Sequence, residues 1–437
     1  MIRSVYSVLM RLLQPLVPLR LRRRARAEPV YAQAIEERFG HYGAQVPGAV
    51  SPGYVWVHAV SLGETRACAA LVAQLRQALP DMRLLLTHGT ATGRTQGQSL
   101  LRQGDVQVWQ PWDTPGAVAR FLTRFRPRIG LLVETEVWPN LVHGCNQAGV
   151  PLCLVNARMS EKSLRKALRL RSLAAPAYGG LRAVWAQSEA DASRLRQLGA
   201  RVAGVLGNFK FDAAPDVTQW EQGQRWRSAC GRPVVMLASS REGEEAQLLG
   251  VLQSFRALVP VNTGNDAIEN IANRIQWLVV PRHPQRFESV VRLFREAGLR
   301  VAQRSQWGDT PAQADIWVGD SLGEMALYYG MADVALLGGS FEPLGGQNLI
   351  EAAACSCPVV MGPHTFNFAE AAALARGAGA ALAVPDLAAG VSQALELVRD
   401  GARLAQARAS AQALALAHQG AAARTAHAVA GLLQARA

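Results

Sequence analysis

The chain has 437 residues, of which 49% are hydrophobic and 18% charged, and its formal net charge is +13. That length suits two or three domains with large cores and no need of disulfide staples. The six cysteines (Cys68, Cys145, Cys153, Cys230, Cys355 and Cys357) form no Cys-x-x-Cys pair and no zinc spacing, which sets aside disulfide scaffolds and zinc modules and fits a reducing compartment. The positive charge favours anionic partners such as acidic headgroups or phosphorylated substrates, while the lack of any RNA- or DNA-binding motif argues against nucleic acid.

In chain order, residues 1–30 come first. Met1–Pro18 is apolar but broken by Arg3, Arg11 and Pro15, and Arg20, Arg22, Arg23, Arg24 and Arg26 follow at once. This is too short and interrupted for a spanning helix, and no small-residue cleavage site precedes the arginines. It reads as a membrane-associating amphipathic segment lying in the interface on the cytoplasmic side, the alternative being a basic helix that caps the fold. Short apolar runs then alternate with helical stretches such as Ala67–Leu79 and Ala190–Leu198. The first half predicts strands at Tyr54–Val60, Arg83–Thr87, Val106–Gln110, Ile129–Glu134, Pro151–Asn156, Ala183–Gln187 and Val202–Leu206. After Asp212–Gly231, which is polar, Pro-containing and reads as a linker, a second series begins: Val234–Ala238, Gln276–Val280, Arg300–Ala302, Ile316–Gly319, Val334–Leu337, Val359–Gly362 and Ala380–Val384. Residues 261–274 read as a polar surface insertion, and the alanine-rich tail 401–437 as a helix that braces the first domain. Alternating strand and helix implies parallel α/β sheets: two doubly wound, Rossmann-like domains, 31–215 and 216–400, with ligands beyond the carboxyl ends of the strands and a cleft between the domains.

Polar clusters fall at those strand ends. His58-Ala-Val-Ser61-Leu-Gly63-Glu64 passes from strand through a turn into a helix. Gly63 lets a ligand approach the backbone, and Glu64 is either a base or a carboxylate that favours the helix dipole; the motif leaves both open. Thr87-His-Gly-Thr90-Ala-Thr-Gly93 is a hydroxyl-rich loop suited to sugar or phosphate oxygens. Glu134-Thr-Glu-Val-Trp138-Pro-Asn140 places two carboxylates past a buried strand, but no His or Asp stands near to complete a metal site. Trp138 stacks on a sugar or packs in the core. Asn156-Ala-Arg158 follows another strand. Lysine occurs at Lys162, Lys166 and Lys210, and Lys210, at the end of the first domain, would stabilise a leaving phosphate or pair with Asp212. The second half offers Ser239-Ser240-Arg-Glu, Pro281-Arg282-His283-Pro-Gln-Arg286, Asp320-Ser-Leu322-Gly323-Glu324, and Gly338-Gly-Ser-Phe-Glu-Pro-Leu-Gly-Gly-Gln-Asn348-Leu349-Ile350-Glu351. Arg282 and His283 suit a phosphate and a base edge, the glycines near Gly345 and Gly346 suit a phosphate cradle, and Glu351 suits ribose hydroxyls. The lack of a Walker A motif, and of Gly-x-Gly-x-x-Gly after the first strand, counts against an ATPase or a simple dehydrogenase.

In this order, with Tyr31 through Phe39-Gly40 ahead of them, the clusters resemble the Kdo transferases of lipopolysaccharide synthesis. Those enzymes attach 3-deoxy-manno-octulosonic acid (Kdo) to the lipid A precursor from a CMP-activated donor. The resemblance runs from about Val5 to beyond Glu370. It implies a GT-B fold and an inverting, metal-independent transfer with CMP-Kdo as donor substrate, no cofactor, and a phosphorylated lipid A precursor as acceptor. It implies that Glu64 accepts the acceptor's proton and that Glu134 and Lys210 stabilise the transition state. It assigns CMP contacts to Pro281, Arg282, Leu322–Glu324 and Asn348–Glu351, with Ser239, Ser240 and His283 beside them. His58, Ser61, Gly63, Thr87, Thr90, Asn156 and Arg158 are the candidates for the acceptor side. Gln347 stands where the family usually has His, and Leu322 where it has Met. A GT-B-fold epimerase or transferase with another nucleotide sugar, and a non-catalytic membrane-associated binding protein, are the competing readings. The resemblance and the basic N-terminus together imply the cytoplasmic face of the inner membrane.

Overall fold

The computed structural model describes residues 2–51, 53–212, 214–257 and 275–435. The expected insertion at 261–274 lies outside them. Two compact units are present: Met1–Asp212 with Gln419–Ala437, and Ala213–His418.

In the first unit the strands are β1 (Tyr54–His58), β2 (Arg83–His88), β3 (Val106–Trp109), β4 (Ile129–Val133), β5 (Leu152–Ala157), β6 (Ala183–Ala186) and β7 (Val202–Val205). They form one parallel sheet in the order β3-β2-β1-β4-β5-β6-β7. Period-two alternation divides β1 between two cores. Tyr54 and Trp56 pack on one face with Phe121 and Phe125, and Val55 and Val57 pack on the other with Leu71 and Leu75. Both faces are therefore covered, which is why the strands read as unbroken apolar runs. β1 ends at His58, short of the predicted Val60, because the Val60 N–H leaves the ladder and donates to Glu64 Oε2 at 2.7 Å.

The second unit repeats the plan with β8 (Val234–Ser240), β9 (Gln276–Pro281), β10 (Val301–Gln303), β11 (Ile316–Val318), β12 (Val334–Leu337), β13 (Val359–Met361) and β14 (Ala381–Ala383). Their order is β10-β11-β9-β8-β12-β13-β14, again all parallel. The first sheet reverses strand order between β1 and β4, and the second between β8 and β12, with β10 and β11 interchanged at its edge. Those are the switch points beside which such sheets bind ligands.

Two segments, the expected linker and the tail, differ from expectation. Asp212–Gly231 is not a linker but mostly the helix Val217–Cys230, capped by Asp216, whose side chain accepts from the Gln219 N–H at 3.1 Å. Its packing is hidden in a polar sequence because the contact is made by glycine. A Cβ at Gly223 would sit 2.2 Å from Leu327 O, and one at Gly330 would sit 2.5 Å from Trp220 O, so the helices Val217–Cys230 and Met325–Met331 touch backbone to backbone. The tail divides in two. Gly401–His418 stays with the second unit, where Arg408 pairs with Asp333. Ala421–Gln434 belongs to the first, where it buries Ala422, Ala426 and Val429 beside Leu71 and takes Asp212 as its cap. At the N-terminus the helix Ile2–Leu13 docks by one face: Ser7 Oγ donates to Asn140 Oδ1 at 2.8 Å and Tyr6 OH to Asp113 Oδ2 at 2.9 Å. Its other face leaves Ile2, Val5, Val8, Leu9 and Leu12 exposed. Among the described residues no helix is long and apolar enough to cross a membrane.

Candidate active site

At the first switch point the turn after β1 leads into the helix Leu62–Ala78. Ser61 caps it: its Oγ accepts from the Glu64 N–H at 3.3 Å and donates to Glu64 Oε1 at 3.1 Å. With the Val60 bond this resembles a capping box shifted by one residue, the carboxylate taking the N–H before the cap rather than that of Ser61, so Glu64 does help to cap the helix. That role does not exhaust the residue. Burial first, then the neighbouring Glu134 and Glu136, push the Glu64 carboxyl from its usual 4.5 up to about 7 against the pull of the Val60 N–H and the Ser61 hydroxyl. A carboxyl that titrates near neutrality is matched to accepting a proton. Space in front of the turn is open, since a Cβ at Gly63 would meet only Ser61 Oγ at 4.0 Å.

Glu134 follows β4 across the same switch point. It sits at φ +61, a left-handed conformation that a residue other than glycine holds only when its surroundings impose it. Here the loop is pinned to the neighbouring strand: the Glu134 N–H donates to Val155 O and the Arg158 N–H to Glu134 O, both at 3.1 Å. Glu136 accepts from Trp138 Nε1 at 2.8 Å, and burial raises its pKa. Trp138 thus packs against the core and orients a carboxylate. Lys210 lies on the turn Phe209–Asp212, which packs on the Glu64 helix through Phe209. Asn156, at φ +49, supports that turn by accepting the Phe209 N–H at 3.1 Å. The first unit therefore gathers Glu64, Glu134 and Glu136, with the Lys210 turn against the same helix.

Several acceptor-side candidates frame this site rather than line it. His58, Thr87 and Asn156 are at most 1% exposed. Thr87 Oγ1 accepts from Trp56 Nε1 at 2.8 Å and lies 2.9 Å from His58 Nδ1. Burial lowers the His58 pKa to about 3, so its ring is neutral. In the Thr87–Gly93 loop, expected to meet sugar or phosphate oxygens, Thr90 Oγ1 donates to Val60 O at 2.8 Å, whereas Thr92 is exposed. Ser61, Gly63 and Arg158 remain accessible.

At the second switch point β8 bulges at Ser239, with φ +54, where its register against β9 shifts before Ser240 pairs with Pro281. Ser240 is fully buried; its Oγ donates to Glu245 Oε1 at 2.6 Å, which removes it from the ligand-facing set. Arg282 and His283 are exposed after β9, and burial, then Arg241, Arg282 and Arg286, lower the His283 pKa. Leu322 and Gly323 are exposed, and Glu324 pairs with Arg304 at 2.8 Å. Asn348 caps the helix Leu349–Ala354, accepting from the Ile350 N–H at 3.2 Å and donating to Glu351 Oε1 at 3.1 Å. Leu349 and Ile350 are buried, so their part is to seat that turn, whereas Glu351 is exposed. Pro281 is buried as the last residue of β9.

Sequence reasoning missed two carboxylates that hold this cluster. Glu244, fully buried, accepts the Gly339 N–H at 2.7 and 2.8 Å, the Phe341 N–H at 3.3 Å and the Arg241 N–H at 2.8 Å. Glu245, 1% exposed, grips Arg286 through two bonds of 2.8 Å. The signal was adjacent: Glu-Glu immediately after the Ser-Ser-Arg-Glu-Gly turn, where a helix N-terminus takes acidic residues.

Two Rossmann-like parallel-sheet units with their polar clusters at the switch points are the architecture of GT-B-like proteins. A UDP-GlcNAc 2-epimerase from Neisseria meningitidis superposes with a TM-score of 0.55 over 87% of this chain and 99% of that one, at 12% identity, a likeness of fold alone. Residues 33–213 match the family described as 3-deoxy-D-manno-octulosonic-acid transferase (kdotransferase). A 3-deoxy-D-manno-octulosonic acid transferase of Bordetella pertussis is 46% identical over 97% of both chains, and one of Haemophilus influenzae 30% identical over 84% of both. The chain belongs to the Kdo transferase family, and so to the glycosyltransferases.

Proposed function

We propose that this chain transfers Kdo from CMP-Kdo to a phosphorylated lipid A precursor, lipid IVA, in lipopolysaccharide core biosynthesis, with inversion and without a metal ion. Glu64 takes the proton of the acceptor hydroxyl, and the freed oxygen attacks the anomeric carbon. The bond from that carbon to the CMP phosphate breaks, and its electron pair leaves on the phosphate. Lys210 and Glu134 steady the charges that develop as this bond breaks, and the clusters of the second unit hold CMP: Arg282 at the phosphate, His283 at the base edge and Glu351 at the ribose. The observation that carries the reading is the Glu64 carboxyl poised at about 7 at a switch point of a Kdo transferase family member.

The acceptor is a lipid, and the N-terminal helix supports a seat at its membrane. Val5 is 68% and Leu12 71% exposed along one stripe, and Arg20, Arg22, Arg23, Arg24 and Arg26 follow for anionic headgroups. We place the chain as a peripheral protein on the cytoplasmic face of the inner membrane. The test is incubation with CMP-Kdo generated in situ and a tetra-acylated lipid A precursor, with and without chelator, and mass analysis of the lipid. The expected result is one or more added Kdo residues in both conditions. Folded protein that adds none to any lipid A acceptor would overturn the proposal, and loss of transfer in chelator would overturn its metal-free part.

A further inference from the structure

Beneath the Glu64 turn a chain of buried and partly buried hydrogen bonds leads to the Val60 N–H that holds the carboxylate. Gln107 Nε2 lies 2.7 Å from Arg94 O and 3.0 Å from His88 Nε2. A carbonyl oxygen only accepts, so that atom is the amide nitrogen, and it donates to both. His88 Nε2 is thereby the acceptor, and the ring proton sits on Nδ1. Nδ1 lies 2.8 Å from Ala59 O, again an obligate acceptor, so Nδ1–H donates to it. Ala59 O and Val60 N–H are the two ends of one peptide group, and that N–H is the group that donates to Glu64 Oε2 at 2.7 Å. Gln107, His88, the Ala59–Val60 peptide and the Glu64 carboxylate thus form one directed series of donors, each polarising the next. His88 is fully buried, and Gly97 gives it room, for a Cβ there would stand 2.4 Å from Nε2.

We propose that His88 is a positioning residue for the transfer: through the Ala59–Val60 peptide it fixes where, and how firmly, the Glu64 carboxylate is held. This rests on Glu64 as the base. The groups facing Glu64 are Glu134 and Glu136 from the loop after β4 and Cys68 on its own helix. Those facing His88 are Arg38, Arg94 and His58, with Thr65 Oγ1 at 3.4 Å. With two arginines near and burial around it, the His88 ring stays neutral, its pKa lowered to about 4. The series is therefore intact at every pH at which Glu64 itself titrates.

The experiment compares His88→Leu, which removes the donor, with His88→Asn, whose amide nitrogen takes the place of Nδ1, in the full chain with CMP-Kdo and an acylated acceptor. The Leu variant is expected to lose about tenfold in kcat with both KM values within about twofold, the measure of one weakened bond to a reacting group. Its acidic limb moves to higher pH, because the Val60 N–H that favours the carboxylate is less polarised. The Asn variant recovers most of both. Unchanged kcat and limb in folded His88→Leu would overturn the inference, as would a loss that Asn does not restore and that leaves the limb in place. Should the Leu variant not fold, Gln107→Leu, which unpins Nε2, carries the same limb and kcat test. Glu64→Gln runs alongside: if it retains turnover, the base and this inference both fall, whereas an inactive Glu64→Gln beside a normal His88→Leu removes only this one.

Discussion

Replacing Glu64 by Gln should abolish turnover and stabilise the fold, and the second effect can be worked from the site. Glu64 titrates at about 7 in the folded chain against a usual 4.5. A carboxyl with a raised folded pKa holds its proton more tightly in the native state. Its contribution is therefore intact below about pH 4.5 and is lost as pH rises through 7. The full shift would amount to about 3 kcal/mol of destabilisation at pH 8. Partial exposure of the carboxyl to solvent reduces that to about 1–2 kcal/mol. Gln keeps an oxygen for the Val60 N–H and a similar shape, so little is lost in exchange. The expected result is a Tm higher by about 1–3 °C at pH 8, with only about a quarter of the free-energy gain left at pH 5. Differential scanning calorimetry of both proteins at the two pH values, beside a transfer assay, measures it. A pH-independent Tm difference, or a less stable variant at pH 8, would refute the claim that the ionised carboxylate is held against its preference. A gain in stability on removing the proposed base is the signature of a residue kept for chemistry.

The pH profile of kcat in the unsubstituted enzyme should carry an acidic limb near pH 7, and Glu134→Gln should move its midpoint down while lowering its height, because Glu134 helps to raise the Glu64 pKa; an unmoved midpoint in rate against pH would show the two carboxylates to be uncoupled. In the second unit, Arg286→Met leaves Glu245, 1% exposed, without its charge partner and with only the Ser240 hydroxyl, whereas Glu245→Gln leaves an arginine that still reaches water. The first should cost about 3 kcal/mol and the second clearly less, in urea unfolding, and both should weaken CMP binding in calorimetry while vesicle binding is untouched. A double variant Val5→Glu, Leu12→Glu should lose flotation with anionic vesicles and retain its CMP affinity, since both side chains lie on the exposed stripe; retained flotation would move the membrane contact elsewhere.

How much of this was legible in the sequence follows from where burial is one-dimensional. The strands were legible, because a parallel sheet covered on both faces makes each strand an apolar run whatever its neighbours are, as in β4 and β12. Glu64, Glu134 and Lys210 were legible as polar residues just past such runs. What was not legible depends on partners distant in sequence. The helix Val217–Cys230 looked like a linker because its contact is made by Gly223 against Leu327 and Gly330, with no apolar stripe to announce it. His58 and Thr87 looked like ligand contacts because polar residues at a strand end suggest exposure; their burial follows from each other and from Trp56, 31 positions before Thr87. Glu244 holds Gly339, 95 positions away, and no local pattern distinguishes that from a helix-dipole carboxylate.

The strand ends share one further property that ties fold to site. Glu134, Asn156 and Ser239 all hold positive φ, where glycine would sit without strain; Glu134 directly follows β4, and Asn156 and Ser239 stand next to the last residues of β5 and β8. At β5 and β8 the ladder register shifts there as well. A left-handed residue turns the chain sharply and aims the next side chain back across the strand end, and glycine would serve that purpose at less cost in strain. The side chains present explain why it is absent. Asn156 Oδ1 holds the turn that carries Lys210, and Glu134 presses on the Glu64 carboxyl, roles that a glycine could not fill. Each position accepts backbone strain to keep a functional group at the end of a strand, and the surrounding hydrogen bonds, Glu134 N–H to Val155 O among them, hold it there. The local rule is broken at the first unit's proposed chemistry, and Ser239 breaks it again at the second unit's switch point; Ala34, Arg126 and Ser356 also hold positive φ away from both, so the strained residues that matter are those at the ends of strands beside the switch points.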